Sequence, residues 1–259
     1  YAPYQPRFDW NLWFASLGAA SVWRARVATT AVLWTASFAV GALVTFVNLY
    51  AVRRSVVAFV LPRRMANIEI GEEVPSRYLI LGIVAISCIV GIVLVLPADR
   101  WTEALLAQIG QPFRETDPYV GADLGFFVYW LPFEITLHAW AVGLVVVDVV
   151  LVIALYGLTP SLRWDRGHLH VSKHVRRHFT ILGGALLLLV AWSYRIGMYR
   201  LIAEGGGTGG VFTAVDHLVR VPAMLMLSVV TLCAALVVIW AGWSDQTRLA
   251  FLAVTTVIV

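Results

Sequence analysis

Five long apolar runs separated by short polar stretches organise the chain. They cover residues 27–51, 78–96, 133–156, 180–198 and 221–243. An α-helix rises 1.5 Å per residue, so about twenty apolar residues cross the roughly 30 Å hydrocarbon layer of a bilayer. Each run is near that length, and the pattern predicts five membrane spans. A sixth begins at Leu249 and reaches the end of the sequence after eleven residues. Residues 1–26 mix Trp10, Trp13, Phe14 and Trp23 with polar side chains and read as an interfacial lead-in. Trp101, Leu105, Leu106 and Ile109 share one face of a short amphipathic helix, and the polar, aromatic stretch after it to Pro132 is expected at the membrane edge. The expected fold class is all-α. It is a polytopic transmembrane helical protein with five complete spans, a truncated sixth and interfacial helices, with residues 1–259 forming one transmembrane domain.

Composition agrees with lipid as the main solvent. Hydrophobic residues make up 60% of the 259 and charged residues 13%, about half the charged share of an ordinary soluble domain. The net charge is +4. The cations sit in short connections rather than on a continuous patch, which argues for anionic lipid and against nucleic acid as partner. Cys88 and Cys233 each lie inside an apolar run, with neither a disulfide framework nor metal-ligand spacing. The sequence shows no initiating Met, cleavable signal or lipidation motif, and its last apolar run is short. These ends are expected of part of a longer protein.

Charge sets an orientation. Arg53, Arg54, Arg63, Arg64 and Arg77 follow the first run, and Arg163, Arg166, Lys173, Arg176 and Arg177 follow the third. The connection after the second run is acidic, with Asp99, Glu103, Glu115, Asp117 and Asp123. The positive-inside rule places the two basic connections in the cytoplasm and the protein in the cell (inner) membrane as a multi-pass protein. Arg24 and Arg26, ahead of the first run, weigh against this and are outnumbered. Trp10, Trp13, Trp23, Trp101, Trp130, Trp240 and Trp243 fall near expected interfaces as an aromatic belt.

Candidate chemistry is sparse. Glu134, His138 and Asp148 interrupt the third run. At about 100° per residue they fall within about 80° of one face. A charge at the membrane centre costs about 2.5–3.5 kcal/mol on insertion scales, so that face points at protein or water. Arg195, on the antiparallel fourth run, matches the depth of Glu134 and His138, and the three form a candidate outer polar cluster. Asp148 lies deeper with no basic residue at its level. The cluster reads either as a structural ion pair with one tolerated acid, which is the plainer reading, or as a relay for protons, ions or a polar headgroup. His170, His174 and His178 lie four apart beside Lys173, Arg176 and Arg177. The flanking cations oppose a metal ion, and a basic interfacial helix on anionic lipid is the plainer expectation. Gly205–Gly210 lacks the Gly-Lys-Ser/Thr ending of a phosphate loop and reads as an outer turn. A lone His138 is more often hydrogen-bonded than a haem ligand, so no cofactor is expected.

Asp117-Pro118-Tyr-Val-Gly121-Ala-Asp123, followed by Leu131-Pro132-Phe133, resembles the signature of a bacterial and archaeal family of multi-span membrane proteins, uncharacterised protein family 0182. Leu61-Pro62-Arg63-Arg64 resembles its first inner loop, and Arg177-His178, Ala191-Trp192 and Tyr194 resemble its fourth-span region. Phe212 and Ala214 depart from the usual tyrosine and aspartate. The similarity runs from about Asp9 to Phe251. It implies one further span ahead of this chain, a large extracytoplasmic domain after it, and an envelope location, with no reaction implied. The stretch from Ala2 to Phe14 also resembles part of the lipase maturation factors. The expected role is a membrane anchor or scaffold, or an accessory subunit of a larger assembly, and an enzyme is the less favoured reading. The alternative is a transporter or lipid- or ion-handling protein using the polar face of the third span.

Overall fold

A computed structural model of the protein describes residues 9–57, 76–157, 162–165, 168–206, 210–244 and 246–258. It is a helical bundle. The first short helix, α1 (Trp10–Ser16), is capped by Asp9, whose carboxylate accepts from the backbone N–H groups of Asn11 and Leu12. Gly18, at φ +70°, turns the chain into α2 (Ala20–Val57). No Pro lies between Ala20 and Val57, so α2 begins within the stretch read as lead-in.

The second run forms one helix, and the short amphipathic helix expected after it follows at an angle. Helix α3 (Ser76–Val93) stops ahead of Pro97, and after a bend of 60° the chain continues into α4 (Trp101–Ile109). Backbone groups released at such a break need partners where water is scarce. The Trp140 indole donates to the Leu94 carbonyl at 2.6 Å, and the Leu96 N–H donates to Ser37 Oγ at 3.2 Å.

Pro132 and Pro222 produce an unexpected local geometry. The apolar pattern starts these spans at residues 133 and 221. Instead, wide turns at Phe126–Trp130 and Asp216–Arg220 precede α5 (Leu131–Gly157) and α7 (Val221–Ser244). The Leu131 N–H bonds to the Phe126 carbonyl, and the Val221 N–H to the Asp216 carbonyl, each five residues back. A π-type turn accommodates the pyrrolidine ring, which in a regular helix would strike the carbonyl four residues earlier. Both helices therefore extend past their prolines.

The connection after α5, read as a basic loop over residues 157–179, carries a two-stranded antiparallel hairpin, β1 (Leu162–Asp165) with β2 (His168–Val171). Helix α6 (Lys173–Glu204) starts several residues ahead of the expected span, because the Ser172 side chain caps it by accepting from the Val175 N–H. His170 therefore lies on a strand and does not continue the helical stripe of His174 and His178. Gly205, at φ +72°, ends α6. Helix α8 (Thr247–Ile258) closes the described chain. Four helical stretches are long and apolar enough to cross a membrane, or five if the bent α3–α4 pair is one span.

Helix α5 packs against α2 and α6, α6 against α7, α7 against α8, and α3 against α2. Val52, Val152, Tyr156, Val175 and Leu182 form a buried apolar core where α2, α5 and α6 meet. Lipid removes most of the hydrophobic drive for helix association, so close packing at small residues carries more of the load. A Cβ at Gly184 would run into Ile239, and one at Gly242 would run into Thr180, so both glycines set the α6–α7 approach. Gly143 faces open space. Gly184→Val is expected to cost about 1–3 kcal/mol through overpacking, while Gly143→Ala is neutral or stabilising. Chemical unfolding in detergent, followed by tryptophan fluorescence, measures both.

Candidate functional site

The polar residues of α5 reach the neighbouring helices in two layers. Glu134 sits in the first turn of α5, 4% exposed. Its Oε1 forms an ion pair with Arg195 of α6 and accepts the Trp192 indole N–H at 2.7 Å. The Arg195 guanidinium also lies over the Tyr199 ring, 5.5 Å from its centroid. His138, one turn along, contacts the Leu189 carbonyl through Nε2 at 3.0 Å and meets the Trp192 ring edge-on. The structure thus brings Glu134 and Arg195 into contact and joins His138 to them through Trp192. Thr136 donates to Glu103 of α4 at 2.6 Å, and Glu103 also pairs with Arg100.

Asp148 belongs to a separate, deeper layer. It lies fourteen residues beyond Glu134, about 21 Å along the helix axis. It is 1% exposed, and its Oδ2 accepts from Asn48 Nδ2 of α2 at 3.3 Å. Asn48 Oδ1 meets His178 Nε2 at 3.0 Å, and His178 Nδ1 meets the Tyr156 hydroxyl at 3.0 Å. His174 Nε2 reaches the Ala51 carbonyl at 2.9 Å. The shared face of Glu134, His138 and Asp148 is therefore two clusters addressed to different helices.

Sequence reasoning missed Thr45, Asn48 and Tyr156, and read His178 as part of a lipid-facing stripe. An uncharged amide inside a span was the available signal, since such groups bond across helices. Lys173 and Arg177 are exposed on the first turns of α6, and Arg176 is half-buried. Among the described residues no group of three His, Cys, Asp or Glu side chains has metal-binding geometry.

The segment ahead of α5 is a folded turn. Asp117 Oδ2 accepts from the Tyr119 and Val120 N–H groups at 2.9 and 2.7 Å. Gly121, at φ +69°, supplies the left-handed position, and the Asp117 N–H returns to the Ala122 carbonyl at 2.8 Å. Asp123 accepts from the N–H groups of Phe113, Arg114 and Gly125 at 3.0, 2.9 and 2.7 Å. Desolvation works to raise its pKa, but the three backbone donors outweigh it and hold the carboxyl below the ordinary aspartate range. Asp117, Pro118, Gly121, Asp123 and Pro132 thus lie on the segment that leads the chain into α5. On the adjoining segment, whose Phe212 and His217 rings meet Tyr119, Asp216 repeats this economy by accepting from Thr213 and Arg220.

The family described as "Uncharacterised protein family (UPF0182)" matches residues 7–259. A UPF0182 protein of Cupriavidus necator is 31% identical over 246 residues, 92% of this chain and 26% of that protein. One from Mycobacterium tuberculosis is 30% identical over 234 residues, 87% of this chain and 24% of that protein. One from a Synechococcus strain is 37% identical over 146 residues, 56% of this chain and 17% of that protein. The chain spans about a quarter or less of the length of these relatives. No solved structure matches it significantly.

Two outcomes test the geometry. Arg195→Ala strands the buried Glu134 charge and is expected to cost about 2–3 kcal/mol, below the roughly 3–5 of a fully buried pair because Arg195 is half exposed. Arg195→Lys should cost less, and urea or SDS unfolding compares them. For the turn, a folded pKa below the ordinary value of about 3.9 means that ionised Asp123 stabilises it above that value. The contribution disappears as pH falls through the lower folded value. Amide protection at Phe113, Arg114 and Gly125 should follow that window, and Asp123→Ala should lack it at every pH.

Proposed function

The chain belongs to the UPF0182 family, and on that premise we propose that it is a membrane-embedded anchor and scaffold, serving a longer envelope protein or a larger membrane assembly. The observation that carries this reading is the division of polar and apolar surface. The polar groups of α5 turn inward onto other helices, while large apolar side chains face outward. Leu43 of α2, Leu81 of α3, Met226 of α7 and Phe251 of α8 are each more than 60% exposed. Such a surface suits lipid and the apolar faces of other membrane segments. Helix α8, of 12 residues, packs on α7 and leaves Phe251 and Leu252 uncovered, a natural place for a neighbouring helix. The role is structural and calls for no catalytic group or cofactor.

The basic connections face the cytoplasm in this reading, in the cell membrane, with five complete spans and a sixth begun at α8. Lys173, Arg176 and Arg177 then stand at the cytoplasmic end of α6, level with anionic headgroups, each worth about 1 kcal/mol of attraction near such a surface. A second reading, ion handling along α5, draws on the unpartnered carboxylate oxygen of Asp148.

Two experiments test this. In cells expressing a Cys88→Ser, Cys233→Ser background, Gln111→Cys should label with a membrane-impermeant maleimide, and Ser172→Cys only after permeabilisation. The reverse pattern refutes the orientation. A photo-crosslinking amino acid at Phe251 should give one discrete adduct with a membrane segment, either another part of the full-length protein or one partner. Adducts to lipid alone, together with solute flux in proteoliposomes, would favour ion handling instead.

A further inference from the structure

Two buried carboxylates on the same helix meet different company. Glu134 is answered by the Arg195 guanidinium and the Trp192 indole. Asp148, more deeply buried, receives a single neutral donor, Asn48 Nδ2. Among the described residues no Lys, Arg or His lies within ion-pair distance of it, and its Oδ1 has no hydrogen-bond partner. Beside it on α2 lies the Thr45 hydroxyl, fully buried, whose nearest polar neighbour is this carboxylate. The two oxygens are neighbours but stand outside hydrogen-bond geometry.

The surrounding groups cannot supply the missing charge. One Asn48 amide proton goes to the Val44 carbonyl at 2.9 Å and the other to Asp148. Its carbonyl oxygen faces His178 Nε2, which must donate there, and His178 Nδ1 faces the Tyr156 hydroxyl. A proton gained by His178 would thus sit behind a neutral amide. An ionised carboxylate so placed carries an uncompensated penalty of several kcal/mol, a cost that one bound positive charge removes.

We propose that Asp148 Oδ1 and Thr45 Oγ1 form a buried site for one small, hard monovalent cation, a proton or Na⁺, between α2, α5 and α6. A proton on Oδ1 turns the carboxyl into a donor toward Thr45 and satisfies both oxygens. Sodium bridges the same two oxygens and completes its shell with water. The all-oxygen set disfavours soft metals, and a single carboxylate balances one positive charge rather than two. The site joins α5 to α2, and Asn48 carries the connection on to His178 of α6, so its occupancy bears on their packing. It stands independently of the scaffold reading.

The test uses the protein in lipid nanodiscs, as wild type, Asp148→Asn and Thr45→Val. Titratable or charged groups within about two turns of the site along the packed helices include Tyr50 and Arg53 on α2, Tyr156 on α5, and His174, Arg176, Arg177 and His178 on α6. The readout must therefore be specific to a carboxyl. The further carboxyls on α5 and α6 are Glu134 and Glu204, so the Asp148 signal is the difference between wild type and Asp148→Asn. Infrared difference spectra between alkaline and acidic buffer supply it, and thermal unfolding in NaCl against choline chloride at equal ionic strength supplies the sodium arm. If the proton is the ligand, wild type shows a protonated-carboxyl carbonyl band that Asp148→Asn lacks and Thr45→Val shifts. If sodium is the ligand, NaCl raises the unfolding temperature of wild type by several degrees, and both variants lose that increment. A wild type with neither response overturns the site, as does a response unchanged in Asp148→Asn. Should Asp148→Asn fail to fold, wild type and Thr45→Val still decide, because a response that Thr45→Val leaves unaltered contradicts the proposed geometry.

Discussion

Water is scarce inside the hydrocarbon layer, so a polar group there must find its partner within the protein or carry a cost of several kcal/mol. That constraint bears hardest on α5, which places Glu134, Thr136, His138, Trp140, Asp148 and Tyr156 along a single span. Each bonds to a neighbour, though one oxygen of Asp148 stays unmatched: Glu134, His138 and Tyr156 reach α6, Thr136 reaches α4, Trp140 the broken end of α3, and Asp148 reaches α2. Apolar contacts among these helices resemble their contacts with lipid and discriminate weakly between arrangements. The directional bonds from α5 specify which helix lies where, and close approaches at glycine set the spacing.

The same constraint governs the backbone. Where α3 breaks, Ser37 and Trp140 take up the released groups. Where prolines interrupt the entries to α5 and α7, π turns keep the hydrogen-bond ladder nearly continuous. Ahead of α5, Asp117 and Asp123 collect backbone N–H groups that no helix satisfies. The residues that carry the family resemblance therefore have a physical role, because they fix how the chain enters the helix on which the bundle depends.

Much of this was legible from residues alone. Hydropathy located the helices, and depth matching paired Glu134 with Arg195. The start of α6 was misplaced because its first turns are basic; hydropathy averages over such a stretch, whereas the Ser172 cap determines the boundary. Helix angle put Asp148 on the face of Glu134 and the rise set it deeper, but neither shows that its neighbour there is the neutral Asn48 of α2. Asn48 and Thr45 went unnoticed because they carry no charge, although an amide within a span is as demanding of a partner as many ions. The proline turns were invisible to pattern, since proline reads as a helix start whenever a polar stretch precedes it.

Whether α5 holds the bundle together is tested most directly by native-state hydrogen exchange in mildly destabilising detergent. The amides of α5 near His138 to Leu151 should be the last to exchange, after those of α3 and α8, which pack mainly on one neighbour each. Exchange of α5 at the same rate as α3 or α8, or ahead of them, would contradict that central place for α5.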